Sequence, residues 1–260
     1  ADAAQALKLY VQHATDKIIG RAEVEDVEGE YRLRPEPKVV FFDCDDCLYF
    51  DNWKVADMLT KNIEAWCMEN LNLPKGKAYE LYKQHGTALR GLLDEGYIVM
   101  HDDSSAAEEK KEKKTSEEFL HDVHLLDPPV TEMLQRDDKL RAMLEDIDPK
   151  IRKYIFTASS RQHAARCLEA LGISDQFLDI IDTRTCGLDT KHSPAAFQRA
   201  MEAVGIDPSS PRETQSCVFV DDSVKNIRTA HAAGWRPVLV GRVGRDCGGV
   251  VSSGGLAESE

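Results

Sequence analysis

The stretch VVFFDCDDCLYFD, residues 39–51, sets four carboxylates and two thiols behind four apolar residues. Cys44 and Cys47 stand three apart, the spacing of a redox or zinc-binding thiol pair. Asp43 and Asp45 stand two apart, so an extended chain projects both carboxylates to one side. Structural zinc takes four nitrogen or sulfur ligands, and neither a second CxxC nor a suitable histidine pair accompanies this one. A redox thiol needs positive surroundings to lower its pKa, whereas two aspartates lie between these sulfurs. The carboxylates are therefore the working groups, and the cysteines read as small packing residues. Two carboxylates this close repel, and one stays protonated unless a cation neutralises them. Asp221 and Asp222 offer further oxygen ligands. An all-oxygen, partly hydrated set of this kind suits magnesium.

Four apolar runs end on polar residues: Asp43 after VVFF, Thr157 after YIF, Asp182 after LDII, and Asp221–Asp222 after CVFV. Carboxylates at the end of a buried run are costly unless they meet water, a cation or hydrogen-bond donors. Any one of them has an ordinary reading as a helix cap or loop carboxylate. A site needs several to converge on one edge.

The elements that would gather them follow from periodicity. Lys38 to Phe42 reads as a fully buried strand. From 152 the rhythm is strand, helix, strand, helix: RKYIFT, SRQHAARCLEALG, FLDIID, SPAAFQRAMEAVG, SCVFVD, SVKNIRTAHAAG and RPVLV. Ser193 and Ser223 stand at cap positions, Pro194 at a first turn, and Gly172, Gly205 and Gly234 at helix ends. The fold class is α/β, a Rossmann-like parallel sheet with helices on both faces and an inserted helical cap. Core segments are 38–51 and 149–245, and the cap covers 52–148. Its helices are WKVADMLTKNIEAWCMENL, KAYELYKQHGTALRGLLDEG broken at a glycine, and VTEMLQRDDKLRAMLEDI. The charged run 102–118 reads as a solvated loop or a frayed helix end, with a binding tail as the lesser alternative. Residues 1–37 form an amino-terminal extension, helical over 1–19 and acidic and loop-like from 21, and 246–260 a loose Gly/Ser-rich tail. Ligands of open α/β sheets sit at the carboxyl ends of strands, so a lobe inserted after the first strand is placed to cover the site.

The net charge of −13 over 260 residues argues against a nucleic-acid polymer as ligand. No stretch approaches ~18 consecutive apolar residues, so no membrane span is expected. Seven scattered cysteines do not form a disulfide framework and favour a reducing compartment. The opening ADAAQALK has neither an initiator methionine nor an apolar signal core. The expected location is the cytoplasm, or an organelle such as a plastid or mitochondrion after removal of a transit peptide.

Taken together, four motifs resemble the haloacid dehalogenase superfamily. FFDCDDCLY resembles its first motif, YIFTASS its second, Lys191 in DTKHSPAAF its third and CVFVDDSVKNI its fourth, all in order across residues 38–240. FDxDxCLY, HGTALRGLL, HAARCLEALGI and FVDDSVKNI are most similar to the pyrimidine 5′-nucleotidase-like branch. The resemblance implies a Mg²⁺-dependent phosphatase working through an aspartyl-phosphate. Asp43 would be the nucleophile and Asp45 the general acid and base. Thr157, Lys191 and the backbone at Ala158 would hold the phosphoryl oxygens. Asp43, the backbone carbonyl of Asp45, Asp222 directly and Asp221 through water would hold the metal. The chain departs from the branch at Ala158, which often is Asn, and at Lys191, followed by HSP rather than Pro; Lys225 is the rival cation.

Substrate choice is expected in the cap and just after the first motif. Tyr49, Phe50 and Trp53 could stack on a base, and His85 and Arg90 could meet its edge or the ribose. These aromatics have a second reading as packing between lobes. The implied substrate is a small phosphorylated metabolite, a pyrimidine nucleoside monophosphate. A phosphatase for a sugar phosphate or phosphoglycolate stays open, as does an inactive structural subunit of a larger assembly. A protein partner for residues 1–37 also stays open.

Overall fold

The computed structural model describes residues 35–51, 53–100 and 113–240, with the backbone of four short strand segments on either side. Among those segments, β1 (Glu23–Glu25) and β2 (Tyr31–Leu33) pair antiparallel within the stretch expected to be loop. The helix expected over 1–19 lies outside the described residues.

Every residue of β3 (Val39–Phe42) is buried. It is flanked by β4 (Arg152–Phe156) and β6 (Cys217–Asp221), with β5 (Asp179–Ile181) and β7 (Arg236–Leu239) at the edges. The order is β5-β4-β3-β6-β7, with every pair parallel. Both faces are covered, which is why these strands are continuously apolar rather than alternating. Val40, Phe42, Ile155, Val218 and Val220 face one layer, where α7 (Arg161–Leu171) contributes Ala164, Cys167, Leu168 and Leu171. Val39, Phe41, Tyr154, Phe156 and Phe219 face the other, against α8 (Pro194–Ala203) and α10 (Val224–Ala232). That second layer is aromatic. Phe156, Phe197, Phe219 and Trp235 meet largely edge to face, with Phe197 and Phe219 at 5.4 Å and 89°.

Between β3 and β4 runs the helical insertion: α1 (Lys54–Leu71), α2 (Lys77–His85), α3 (Ala88–Asp94), α4 (Ser116–Val123), α5 (Val130–Met133) and α6 (Asp138–Glu145). The charged run ends in the start of α4, where Thr115 and Glu118 form a reciprocal capping box. One expectation is corrected here. The single helix expected over 130–147 is broken, since Leu134 is extended and the Asp137 side chain caps a new helix by accepting from Lys139 and Leu140 N–H. Within the insertion, the buried residues fall into two groups. Trp66, Leu81, Leu89, Leu92, Phe119 and Val123 build a core of their own, whereas Val130, Leu140, Met143 and Leu144 join the sheet layer with α7. A short helix, α9 (Pro211–Thr214), precedes β6, and a small antiparallel pair joins β8 (Val243–Gly244), at the end of the expected core segment, to β9 (Gly249–Val250), in the expected tail.

Phe219 is fully buried at the centre of the aromatic layer. Phe219→Ala should lower stability by about 3–5 kcal/mol. The check is the urea midpoint; a loss below about 1 kcal/mol would mean this layer does not organise the core.

Candidate active site

Sheet register alone brings three strand ends together. Phe42 lies opposite both Ile155 and Val220, so Asp43, Thr157 and Asp221 emerge side by side. The Asp43 N–H donates to Val220 O at 2.9 Å. The chain runs outward from β3 through β4 to β5, then returns to β6 and β7, so this edge is the sheet's topological switch point.

Lys191 enters this edge from the turn ahead of α8, which Ser193 caps by accepting from Ala195 N–H. It is 4% exposed, and its Nζ lies 2.8 Å from Asp43 Oδ1 and 2.7 Å from Asp221 Oδ2. The same ammonium donates to Phe156 O at 3.2 Å and lies 5.6 and 5.5 Å from the ring centroids of Phe156 and Phe219. Lys225, the rival, is exposed on α10. Asp182 belongs to the scaffold instead. It accepts from Arg161 N–H at 3.1 Å and from both Thr185 N–H and Oγ1–H at 3.0 Å, fixing the loop that leads to Lys191.

Carboxylate oxygens of Asp43, Asp221 and Asp222 all lie within 4.8 Å of one another. Asp221 is fully buried and well satisfied: Ser223 N–H donates to Oδ1 at 2.8 Å and the Asn226 amide reaches both oxygens. Asp222 is half-buried and stands outside that network. Burial pushes the Asp43 carboxyl up to about 7; the Lys191 charge opposes this and Asp221 adds to it. Burial, then the charges of Asp221, Asp43 and Asp46, push Asp222 up to about 8. Burial works against the charged form of Lys191, but Asp221 and Asp43 outweigh it and hold the ammonium well above its ordinary range. One cation thus serves a crowd of carboxylates, and the all-oxygen set fits a second, divalent one.

Asp45 does not share this cluster. The chain turns over Asp45–Leu48, with Leu48 N–H bonded to Cys44 O and Asp46 at φ 59°, so the side chains of Asp43 and Asp45 diverge. The Asp45 carboxylate is not part of the Asp43–Asp221–Asp222 group and lies with the Cys44 and Cys167 sulfurs. It accepts instead from Tyr49 Oη at 2.6 Å, Ser159 Oγ at 2.7 Å and His163 Nε2 at 2.8 Å. Burial would raise its pKa, but the His163 charge and these hydrogen bonds hold it well below the carboxylate range. His163 answers in kind: burial would lower it, yet Asp45 and a hydrogen bond with Cys167 raise it to about 10.

Thr157 is buried beside Lys191's edge, accepting from Ser159 N–H at 3.0 Å, and Ala158 is exposed next to it. Tyr49 is corrected: it is buried and serves Asp45, so it is not available to stack on a base. Phe50 and Trp53 pack edge to face at 5.2 Å, and Phe50 stays exposed. His85 and Arg90 are engaged by Asp94, at 3.0 and 2.7 Å. Arg90 also reaches Asp189 at 3.4 Å, next to the Lys191 turn. Gly86 lies there too, where an added Cβ would meet His192 Nδ1 at 2.6 Å. Ser159, His163 and Asn226 escaped the sequence reading, though HAARCLEALG and SVKNI had drawn attention to the segments that carry two of them.

The family model for haloacid dehalogenase-like hydrolase matches residues 37–234. The chain belongs to that family. It is 26% identical over 222 residues to phosphate metabolism protein 8 of Saccharomyces cerevisiae, an alignment covering 79% of this chain and 62% of the relative, so it spans less than two thirds of that protein. Among solved structures it is similar to β-phosphoglucomutase from Clostridium difficile (20% identity, 77% and 83% of the two chains, TM-score 0.47). It is also similar to the HAD-hydrolase YfnB from Bacillus subtilis bound to magnesium (17%, 78% and 87%, TM-score 0.43).

Asp43 and Asp222 have folded-state pKa values raised above their ordinary 3.8. In the metal-free chain their contribution to stability is complete below about pH 4 and is lost as pH rises through about 7 and about 8. A divalent cation that holds them ionised removes that loss. The rise in Tm on adding Mg²⁺ should be larger at about pH 8.5 than at about pH 5.5. Thermal melts check this, and an equal or smaller rise at the higher pH contradicts the carboxylate assignment.

Proposed function

We propose that this chain is a phosphatase that hydrolyses a small phosphate monoester through a phosphorylated Asp43. The observation that carries the reading is the placement of one buried lysine, Lys191, at 2.8 Å from Asp43 and 2.7 Å from Asp221 at the switch point of a parallel sheet. Asp43 is the nucleophile: one oxygen forms the bond to phosphorus as the ester oxygen leaves. Asp45, ionised in the free chain, takes up the proton that a monoanionic ester brings in, gives it to that leaving oxygen and later takes one from the water that hydrolyses the acyl phosphate. Lys191 and the Thr157–Ala158 segment bind the phosphoryl oxygens, where charge gathers as the group transfers. Asp43, Asp222, the backbone carbonyl of Asp45 and, through water, Asp221 are the groups that would hold Mg²⁺. When bound, the ion neutralises these carboxylates and lets an anionic nucleophile meet an anionic ester.

For the substrate we favour a pyrimidine nucleoside 5′-monophosphate, on the motif-level resemblance to that branch. A second reading, a sugar phosphate or phosphoglycolate, gains from the engagement of Tyr49, which removes one aromatic group from base recognition. His85 and Arg90 have acidic partners of their own, so they act on a substrate only by exchanging them. Among the described residues no helix is long and apolar enough to cross a membrane. Compartment and any partner of residues 1–37 stay part of the proposal.

A panel of UMP, CMP, sugar phosphates and phosphoglycolate, assayed with and without Mg²⁺, tests both levels. Turnover that requires Mg²⁺ and is greatest for UMP or CMP is the expected result. Turnover confined to the other esters selects the second reading, and none with any ester, from chain that co-purifies in a defined complex, overturns the phosphatase in favour of a structural subunit.

A further inference from the structure

Asp45 is gripped from three directions. Tyr49 reaches it from the turn after β3, Ser159 from the loop after β4, and His163 from the first turn of α7. His163 is the unusual member. It has no solvent exposure, and its ring is clamped: the His124 ring from α4 lies 5.1 Å away, and Cys167 Sγ lies 3.5 Å from Nε2. Its backbone N–H is tied to the Ser160 cap at 3.3 Å. Its Nδ1 has no hydrogen-bond partner among the described residues, so the ring's hydrogen bonding is directed through Nε2.

A histidine that merely fills a core settles its polar atoms on nearby backbone, as His124 does through Nδ1 to Leu120 O at 2.7 Å. His163 makes its shortest contact, 2.8 Å, with a carboxylate whose side chain is still 19% exposed. Of the three partners of Asp45 only Tyr49 belongs to the turn that follows β3; Ser159 and His163 come from elsewhere in the fold. Proton transfer needs the carboxyl oxygen within hydrogen-bond reach of the leaving oxygen. A displacement of about 1 Å can cost on the order of 100-fold in rate.

We propose that His163 is the positioning residue for Asp45: an imidazole locked in the core sets where the acid–base carboxylate points. His163 need not touch substrate, and Tyr49 and Ser159 complete the grip. The helical insertion shares in it, since His124 packs on the His163 ring and accepts from Ser160 N–H at 3.4 Å, while Arg166 of α7 donates to His124 O at 3.0 Å. Seating of the insertion on α7 is thereby linked to the aim of Asp45.

The inference rests on the phosphatase reading, and in particular on Asp45 as the group that protonates the leaving oxygen. Two esters of similar size separate the possibilities: p-nitrophenyl phosphate, whose leaving group departs without a proton, and benzyl phosphate, whose alkoxide needs one. The measured quantity is kcat/KM, which is blind to the later hydrolysis of the acyl phosphate. In His163→Leu, kcat/KM for benzyl phosphate should fall by about 10- to 100-fold through kcat, with KM within about twofold, while the value for p-nitrophenyl phosphate changes by less than about threefold. His163→Gln, which restores a donor near the Nε2 position, should recover part of the loss. The p-nitrophenyl rate in the same preparation guards against misfolding, because an unfolded fraction lowers both rates alike. Equal losses on both esters, or no loss on either, overturn the positioning role. If Asp45→Asn fails to discriminate between the esters, or the parent chain turns over neither, the reading beneath it falls and takes the inference with it.

Discussion

The arrangement depends on a buried ammonium held among carboxylates. Lys191 has almost no access to water, and isolating a charge in that way is strongly unfavourable unless partners surround it. Asp43, Asp221 and the Phe156 carbonyl supply them, and the faces of Phe156 and Phe219 complete the enclosure. Each partner comes from a different strand, so the ion network can form only when β3, β4 and β6 are in register. The network also explains the loop that delivers the lysine. Asp182 and Asp189 anchor it through Arg161, Thr185, Arg90 and Arg199, and Leu188 plugs into the core of the helical insertion. Packing, topology and charge are thus satisfied by one placement.

Two aspartates separated by a single cysteine receive opposite environments. Asp43 sits in a crowd of carboxylates with one shared cation, and its carboxyl is pushed up. Asp45 has a cation and two hydroxyls to itself, and its carboxyl is held down. In the metal-free chain the proton of the pair therefore sits on Asp43, and the nucleophile's role requires a cation that ionises it. The division lies in their partners: Asp43 meets Lys191, and Asp45 meets Tyr49, Ser159 and His163. The thiols take sides as well. Cys47 donates to Val220 O, whereas Cys44 meets Cys167 beside His163, so the CxxC spacing in the sequence does not become a thiol pair in space.

Much of the fold could be read from local chemistry. Strands β3 and β6 are buried and show as apolar runs, and the helix after Ser193 carries its cap where expected, with Ser193 bonded to the first turn. Ser223 occupies its cap position without the side-chain bond. The insertion was harder. TSEE, residues 115–118, is a capping-box pattern hidden inside a run of lysines and glutamates, and Asp137 restarts a helix in the middle of an otherwise continuous helical pattern. Which insertion helices pack on the sheet was not legible, because periodicity gives an apolar face but not its partner. In the site, Asp43, Thr157, Asp221 and Asp222 follow from strand ends and register. Lys191 followed from resemblance. The grip on Asp45 did not follow from either, since it depends on a turn of positive φ and on a histidine 118 residues away.

The account reduces to one covalent event, the transfer of a phosphoryl group to Asp43 beside Lys191. Its most direct test is to mix the chain with Mg²⁺ and the best ester of the panel, quench in acid within the turnover time, and map the phosphorylated peptide by mass spectrometry. The predicted result is one phosphoryl group on Asp43 in the parent chain and none in Asp43→Asn. Turnover with no labelled peptide, or a label on any other residue, would contradict it.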